Sequence, residues 1–183
     1  VAISNSTFSG NLSDTVGGAL YYSSCGAPVL DGLTITGNRA TTDGSGVYVW
    51  GSTVHLSHSI VDDECAFTSG GGLVSQGHNL ESGNTCGLVP ALGDLVNVDP
   101  LLGPLEDNGG PTATHLPLRT SPTIDGGAAT CGLAADQRGF PRPVDGDGDG
   151  TVACDIGAVE VQDGIFADGF ESGDTTRWSG VAR

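Results

Sequence analysis

Residues 17–22 read GGALYY, residues 44–49 read GSGVYV and residues 70–75 read GGGLVS. The steps from 17 to 44 and from 44 to 70 are 27 and 26 residues, inside the range of solenoid repeats. A second block keeps the same register. It reads Val1-x-Ile3-x-x-Ser6-x-Phe8, then Pro28-x-Leu30-x-x-Leu33-x-Ile35, then Val54-x-Leu56-x-x-Ser59-x-Val61. Asn11 and Asn38 follow the first two copies at equal spacing. Apolar residues alternate, β-branched and aromatic types are frequent, and Gly, Asn, Asp and Ser separate the runs, which is the pattern of short strands joined by turns. No stretch has the period of an amphipathic helix. The expected fold is all-β, a right-handed parallel β-helix. One coil cannot cover its own apolar face, whereas stacked coils can. Leu20, Val47 and Leu73 are therefore expected in one interior column and Ile3, Leu30 and Leu56 in another. Asn11 and Asn38 are expected to stack at a turn, and Tyr21 and Tyr48 to lie one coil apart.

Val1 stands inside the first copy of the second block, so the expectation is the last coils of a longer protein. Residues 1–98 are assigned to coils, 99–160 to a capping segment and 161–183 to a tail. The cap is rich in Gly and Pro and has no period of its own, as a segment does when it lies on a preformed scaffold. A solenoid's last coil exposes an apolar end and open strand edges. Leu101, Leu102, Leu105, Leu116, Leu118 and Ile124 are expected to cover that end or a flank.

The chain has six Arg, no Lys and a formal net charge of −16. Such a surface repels phosphate backbones, which excludes nucleic acid as a partner. No apolar run reaches the length needed to span a membrane. The cysteines are Cys25, Cys65, Cys86, Cys131 and Cys154, and none has zinc-site spacing. Cys65 with Cys86 and Cys131 with Cys154 each bracket a short loop and are read as disulfides, implying an oxidising compartment. Cys25 is left over. The alternative is a set of buried free thiols.

The best ligand cluster is Asp145-Gly-Asp147-Gly-Asp149-Gly150. Alternating Asp and Gly puts hard oxygen donors on one side of a turn, which suits Ca²⁺, and Asp155 could add a carboxylate. It is not an EF-hand, because Ile156 stands where the bidentate Glu is needed. The alternative is a solvated acidic turn. Arg138 and Arg142 flank Phe140 among acids. Their expected role is structural, in ion pairs with carboxylates such as Asp136, Asp155 or Glu160; the alternative is binding of an anionic sugar. Asp62-Asp63 and His78 have a faint polygalacturonase character, but no Arg-x-Lys partner accompanies them. No catalytic residue is assigned. His55 and His58 face opposite sides of a strand and cannot chelate together. His115 is read as a satisfied structural histidine.

FSGN (8–11) followed by GGAL (17–20) resembles the FxxN and GGA[ILV] repeats of polymorphic membrane proteins and related β-helix surface proteins, with ITGN (35–38) and GSGV (44–47) a looser copy. Residues 99–127, DQRGFPRP (136–143) and CDIGAVE (154–160) resemble the C-terminal region of bacterial choice-of-anchor Q domain proteins. DGFESGDTTRWS (168–179) is similar to a terminal signature of secreted proteobacterial proteins; Phe166, Phe170 and Trp178 are expected to dock on the scaffold. These resemblances imply a non-enzymatic module, structural or adhesin-like, on the outer surface of a bacterium or secreted from it. Glycans or cell-surface proteins are the partners they imply. The alternative is a carbohydrate-active β-helix, a lyase or glycoside hydrolase, whose groove lies in further coils.

Overall fold

The computed structural model describes residues 1–162. Among them the only helical turn is a 3-10 turn at Pro90–Leu92; the rest is strand and turn. The strands pair in parallel in rungs, so the architecture is the expected parallel β-solenoid. The first rung is β1 (Ala2–Ser9), β2 (Leu12–Ser13) and β3 (Leu20–Ser23). The second repeats it as β4 (Val29–Thr36), β5 (Arg39–Ala40) and β6 (Val47–Trp50). Below these come β7 (Thr53–Ser57), β8 (Ile60–Val61) and β9 (Cys65–Thr68), then β10 (Gly72–Ser75) and β11 (Leu80–Glu81), and a fifth rung that holds β12 (Leu95–Val96).

One sheet stacks β1 on β4, then β7 and β8, then β10 and β11, and ends on β12. A second sheet is β3–β6–β9, and β2 pairs β5 alone. Ile3, Leu30 and Leu56 stand in register, as the sequence predicts. Leu20 pairs Val47, but below Val47 stands Cys65, not Leu73. Leu73 pairs Val54 and belongs to the first sheet. The column expected from the glycine motifs is thus wrong in its third member. The physical reason is that the coils shorten. In-register partners are 27 residues apart from Leu20 to Val47 and 26 from Leu30 to Leu56. They are only 19 apart from Val54 to Leu73 and 15 from Leu80 to Leu95. The interior holds Leu30, Leu33, Ile35, Val47, Val49, Val54, Leu56 and Val61, all buried, with Cys65–Cys86 at its lower end.

One corner repeats through all five rungs. Asn5, Gly32, His58, His78 and Gly93 align in register, and each has a left-handed backbone, with φ of 46°, 64°, 45°, 54° and 82°. Such a residue interrupts the ladder and leaves the next N–H without a strand partner. Side chains one rung below supply it. The Leu33 N–H donates to Ser59 Oγ at 3.0 Å, the Ser59 N–H to Asn79 Oδ1 at 3.0 Å and the Asn79 N–H to Asp94 Oδ1 at 2.8 Å. At the opposite turn the Asn11 and Asn38 stack forms, and it continues one rung further. Asn11 donates to Asn38 Oδ1, and Asn38 donates to Asp63 Oδ2.

The segment after Asp99 lies on the outer face of the first sheet, a flank rather than the end. Ala158 N–H donates to Thr34 Oγ1, Gly157 N–H to His58 O, and Asn5 Nδ2 to Ala135 O. Ile156 fills a second apolar cluster with Ile60 and Leu80, flanked by Leu95, Val98 and Leu102. Ile60 faces outward where its neighbour Val61 faces in, so this part of the sheet is covered on both sides. Of the leucines expected to cover the scaffold, Leu102 does so, while Leu105 and Leu118 are exposed on and beside the antiparallel hairpin β13 (Leu102–Glu106) and β14 (Thr114–Pro117).

Candidate functional site

Two polar assemblies sit in the docked segment, and the buried one is organised around two arginines whose partners all lie within that segment. Arg142 is buried and donates from Nη1 to Asp155 O at 3.0 Å and from Nη2 to Gly157 O at 2.6 Å. Its Nη1 stands 3.5 Å from Glu160 Oε2. Glu160, wholly buried, also accepts the Val144 and Asp155 N–H groups. Arg138 pairs with Asp136 at 2.9 Å, donates to Glu160 O and Asn108 O, and lies 4.6 Å over the Phe140 ring. Arg138 thus pairs with Asp136 and Arg142 with Glu160, while Asp155 meets Arg142 only through its backbone carbonyl. The Asp155 carboxylate instead accepts the Asp125 and Val161 N–H groups. Burial pushes the Asp155 carboxyl up to about 7 against the pull of those two donors, and burial likewise raises Glu160. Burial also lowers Arg142 despite the acids around it. A fork of donors bonded to two carbonyls and a carboxylate has little left to offer a sugar.

The second assembly is the acidic loop. The cluster that could hold a metal ion is Asp125, Asp145 and Asp147, one oxygen of each lying within 4.8 Å of the others. Of the expected ligands Asp145, Asp147, Asp149 and Asp155, only the first two take part. Asp149 accepts the Thr151 N–H in the exposed turn, and Asp155 is turned into the interior as described. Asp125 replaces them. Its Oδ2 accepts the Gly146 and Asp147 N–H groups and its Oδ1 that of Ala153, so it organises the loop from outside it. Burial raises its carboxyl, and the charge of Asp147 adds to this. A cation there would relieve both effects. Asp145 closes the loop on itself by accepting the Gly148 and Gly150 N–H groups.

Both expected disulfides form, Cys65–Cys86 and Cys131–Cys154, and Cys25 is free and exposed. The second disulfide brackets the acidic loop. His78 and the Asp62-Asp63 pair do not meet in one place. His78 stacks on His58 at the left-handed corner, 5.8 Å between ring centroids, whereas Asp62 and Asp63 lie in the turn after β8, bonded to Thr36 and Asn38. His58 binds Asp31, His55 binds Gln76, and His115 bridges Ser9 and Gly103 O. Phe166, Phe170 and Trp178 lie outside the described residues.

A family model described as the Chlamydia polymorphic membrane protein repeat matches residues 5–23, which run from the left-handed corner of β1 through β3. No curated protein and no solved structure matches the chain. Among the described residues no helix is long and apolar enough to cross a membrane. The repeat and the two disulfides together suggest a surface or extracytoplasmic protein with a repeat module of the autotransporter-like kind.

Proposed function

We propose that the chain is a non-enzymatic, secreted or cell-surface solenoid of bacterial origin, structural or adhesin-like, with a C-terminal segment that resembles that of choice-of-anchor Q domain proteins. The observation that carries this reading is the match of the first rung to a surface-protein repeat within rungs that stack in register. The buried charges support it, because Arg138, Arg142 and Glu160 all hold backbone groups of the docked segment. The test is trypsin treatment of intact source bacteria, with an antibody to the chain and a periplasmic marker as control. Loss of the chain with the marker spared supports surface display. Protection of the chain until the envelope is opened, with none in the medium, overturns it. A polysaccharide-cleavage screen on the full protein accompanies this, and turnover there would overturn the non-enzymatic part.

Calcium at Asp125, Asp145 and Asp147 belongs to the same proposal, since it prefers several hard oxygen ligands in flexible geometry. Calorimetric titration with CaCl₂ tests it. Asp125→Asn should abolish the binding heat and Asp149→Asn should leave it. Equal loss in both would reduce the loop to a diffuse acidic surface.

A further inference from the structure

The outer face of the second sheet is uncovered among the described residues. Along β3 and β6 the side chains alternate, Leu20, Tyr22, Val47 and Val49 inward and Tyr21, Ser23, Tyr48 and Trp50 outward. The register sets Tyr21 beside Tyr48 and Ser23 beside Trp50, with Thr68 of β9 next in line. Tyr21 is 54% and Trp50 43% exposed, although both are large aromatics. The rings of Tyr21 and Tyr48 are 5.6 Å apart and tilted by 54°, and the Tyr48 hydroxyl bonds Thr68 Oγ1.

Just before the start of β6 and β9 is a cavity of about 400 Å³ lined by Asp62, Asp63, Glu64, Ser45, Ser82 and Thr85. One position before the β6–β9 register begins, the Gly46 N–H donates to Glu64 O at 2.8 Å, which places the exposed Glu64 beside Gly46, two positions from Tyr48 along the strand. Both cavity walls are fixed. Asp62 and Asp63 hold Thr36 and Asn38 of the rung above. Ser82 and Thr85 are in the loop tied down by Cys65–Cys86, and Thr85 Oγ1 accepts the Cys65 N–H. Burial raises the Asp63 carboxyl, and the neighbouring charge of Asp62 adds to this.

We propose that this aromatic face and its acidic cavity form a docking surface for an arginine- and lysine-bearing segment of a partner protein. Charge complementarity selects the occupant. Three carboxylates at the end of a row of rings, on a chain of net charge −16, favour a cation that lays its side chain over an aromatic face and its head on a carboxylate. The chain makes this contact elsewhere within itself, where Arg138 lies over Phe140 and pairs with Asp136. Its own residues 163–183 do not match the surface, because they carry Asp163, Asp168, Glu171 and Asp174 against Arg177 and Arg183. The proposal deepens the adhesive reading by naming the partner's chemistry, and its test is independent of where the protein resides.

The test uses the purified full chain and a fluorescein-labelled peptide of alternating Arg and Gly, with affinity read by anisotropy. Tyr21→Ser and Trp50→Ala should each weaken binding about three- to fivefold, the loss expected from one exposed cation–ring contact. Glu64→Gln should weaken it by a similar factor, and Asp107→Asn, an equal charge change on the exposed far hairpin, should leave it within about twofold. Circular dichroism of each variant separates lost contacts from lost fold; should Trp50→Ala unfold, Tyr21→Ser carries the same test. Equal effects of Glu64→Gln and Asp107→Asn, or no effect of the aromatic changes, would overturn the proposal. So would binding of a neutral β-glucan hexasaccharide to this face with no peptide binding, since the occupant would then be a glycan. Failure of any of these leaves the intact-cell experiment on surface display unaffected.

Discussion

Replacing Arg142 by Met should release the docked segment from the flank while leaving the rungs intact. The guanidinium touches only that segment: Asp155 O, Gly157 O and the Glu160 carboxylate. Removing one partner of a buried pair costs about 3–5 kcal/mol, because the other charge stays behind. Here the figure belongs near the low end, about 3 kcal/mol, since Arg142 Nε has no partner and the wild type already carries some of the desolvation cost. That energy corresponds to roughly two decades in the local opening constant. The assay is native-state hydrogen exchange. The Gly157 and Ala158 amides, which donate to His58 O and Thr34 Oγ1, should lose about a hundredfold of protection. The Asp62 and His55 amides, which donate to Ile35 O and Pro28 O within the rungs, should keep theirs. Arg142→Lys keeps the charge but cannot serve two carbonyls and a carboxylate from one fork, so it should recover only part of the loss. Equal loss at both sets of amides would show that segment and rungs open as one unit, and the division argued here would fail. Unchanged Gly157 and Ala158 would show that Ile156 and its apolar neighbours hold the segment without the arginine.

Asn79→Ala removes the acceptor for the Ser59 N–H and the donor to Leu56 O and Asp94, all buried. A cost of about 2–4 kcal/mol is expected in guanidinium unfolding, against about 0.5 kcal/mol or less for Asn11→Ala at the exposed start of its ladder. Replacing Cys65 and Cys86 by Ser opens a loop with a sequence separation of 21 and should cost about 3 kcal/mol in the same measurement. Asp31 gives a pH signature. Burial alone would raise its carboxyl, but hydrogen bonds from His58 and Ser57 outweigh that and hold it below its usual range. Its contribution is therefore complete above the unfolded value near 3.8 and disappears as pH falls through the folded one. Thermal unfolding from pH 2 to pH 6 should show a decline at the acid end that Asp31→Asn lacks; a parallel curve for the variant would refute the assignment.

The parallel rungs were legible because side-chain alternation and turn residues repeat together over the first two coils, where partners lie 27 and 26 residues apart. The third coil broke the pattern for a definable reason. It has no counterpart of β2 and β5: the chain turns straight from β8 into β9 at Asp62–Glu64. Asp63 takes the place an Asn would hold in the ladder, and Gly70-Gly71-Gly72 then imitates a motif whose strand has already passed. Asp125 was hidden for another reason. It reaches the acidic loop through docking, 20 residues before Asp145 in sequence and outside the Cys131–Cys154 bracket, and local spacing carries no trace of that approach. The left-handed corner was the least legible of all. Gly and Asn advertise a positive φ most plainly; His is enriched there too, but no turn pattern around His58 and His78 marks them, and both adopt it. What repeats at that corner is a backbone conformation and the unpaired N–H it creates. Residue type follows only loosely, because Ser59, Asn79 and Asp94 each offer an oxygen that can meet the N–H of the rung above. A search for repeated residues misses a column held together by a repeated vacancy in the hydrogen-bond ladder.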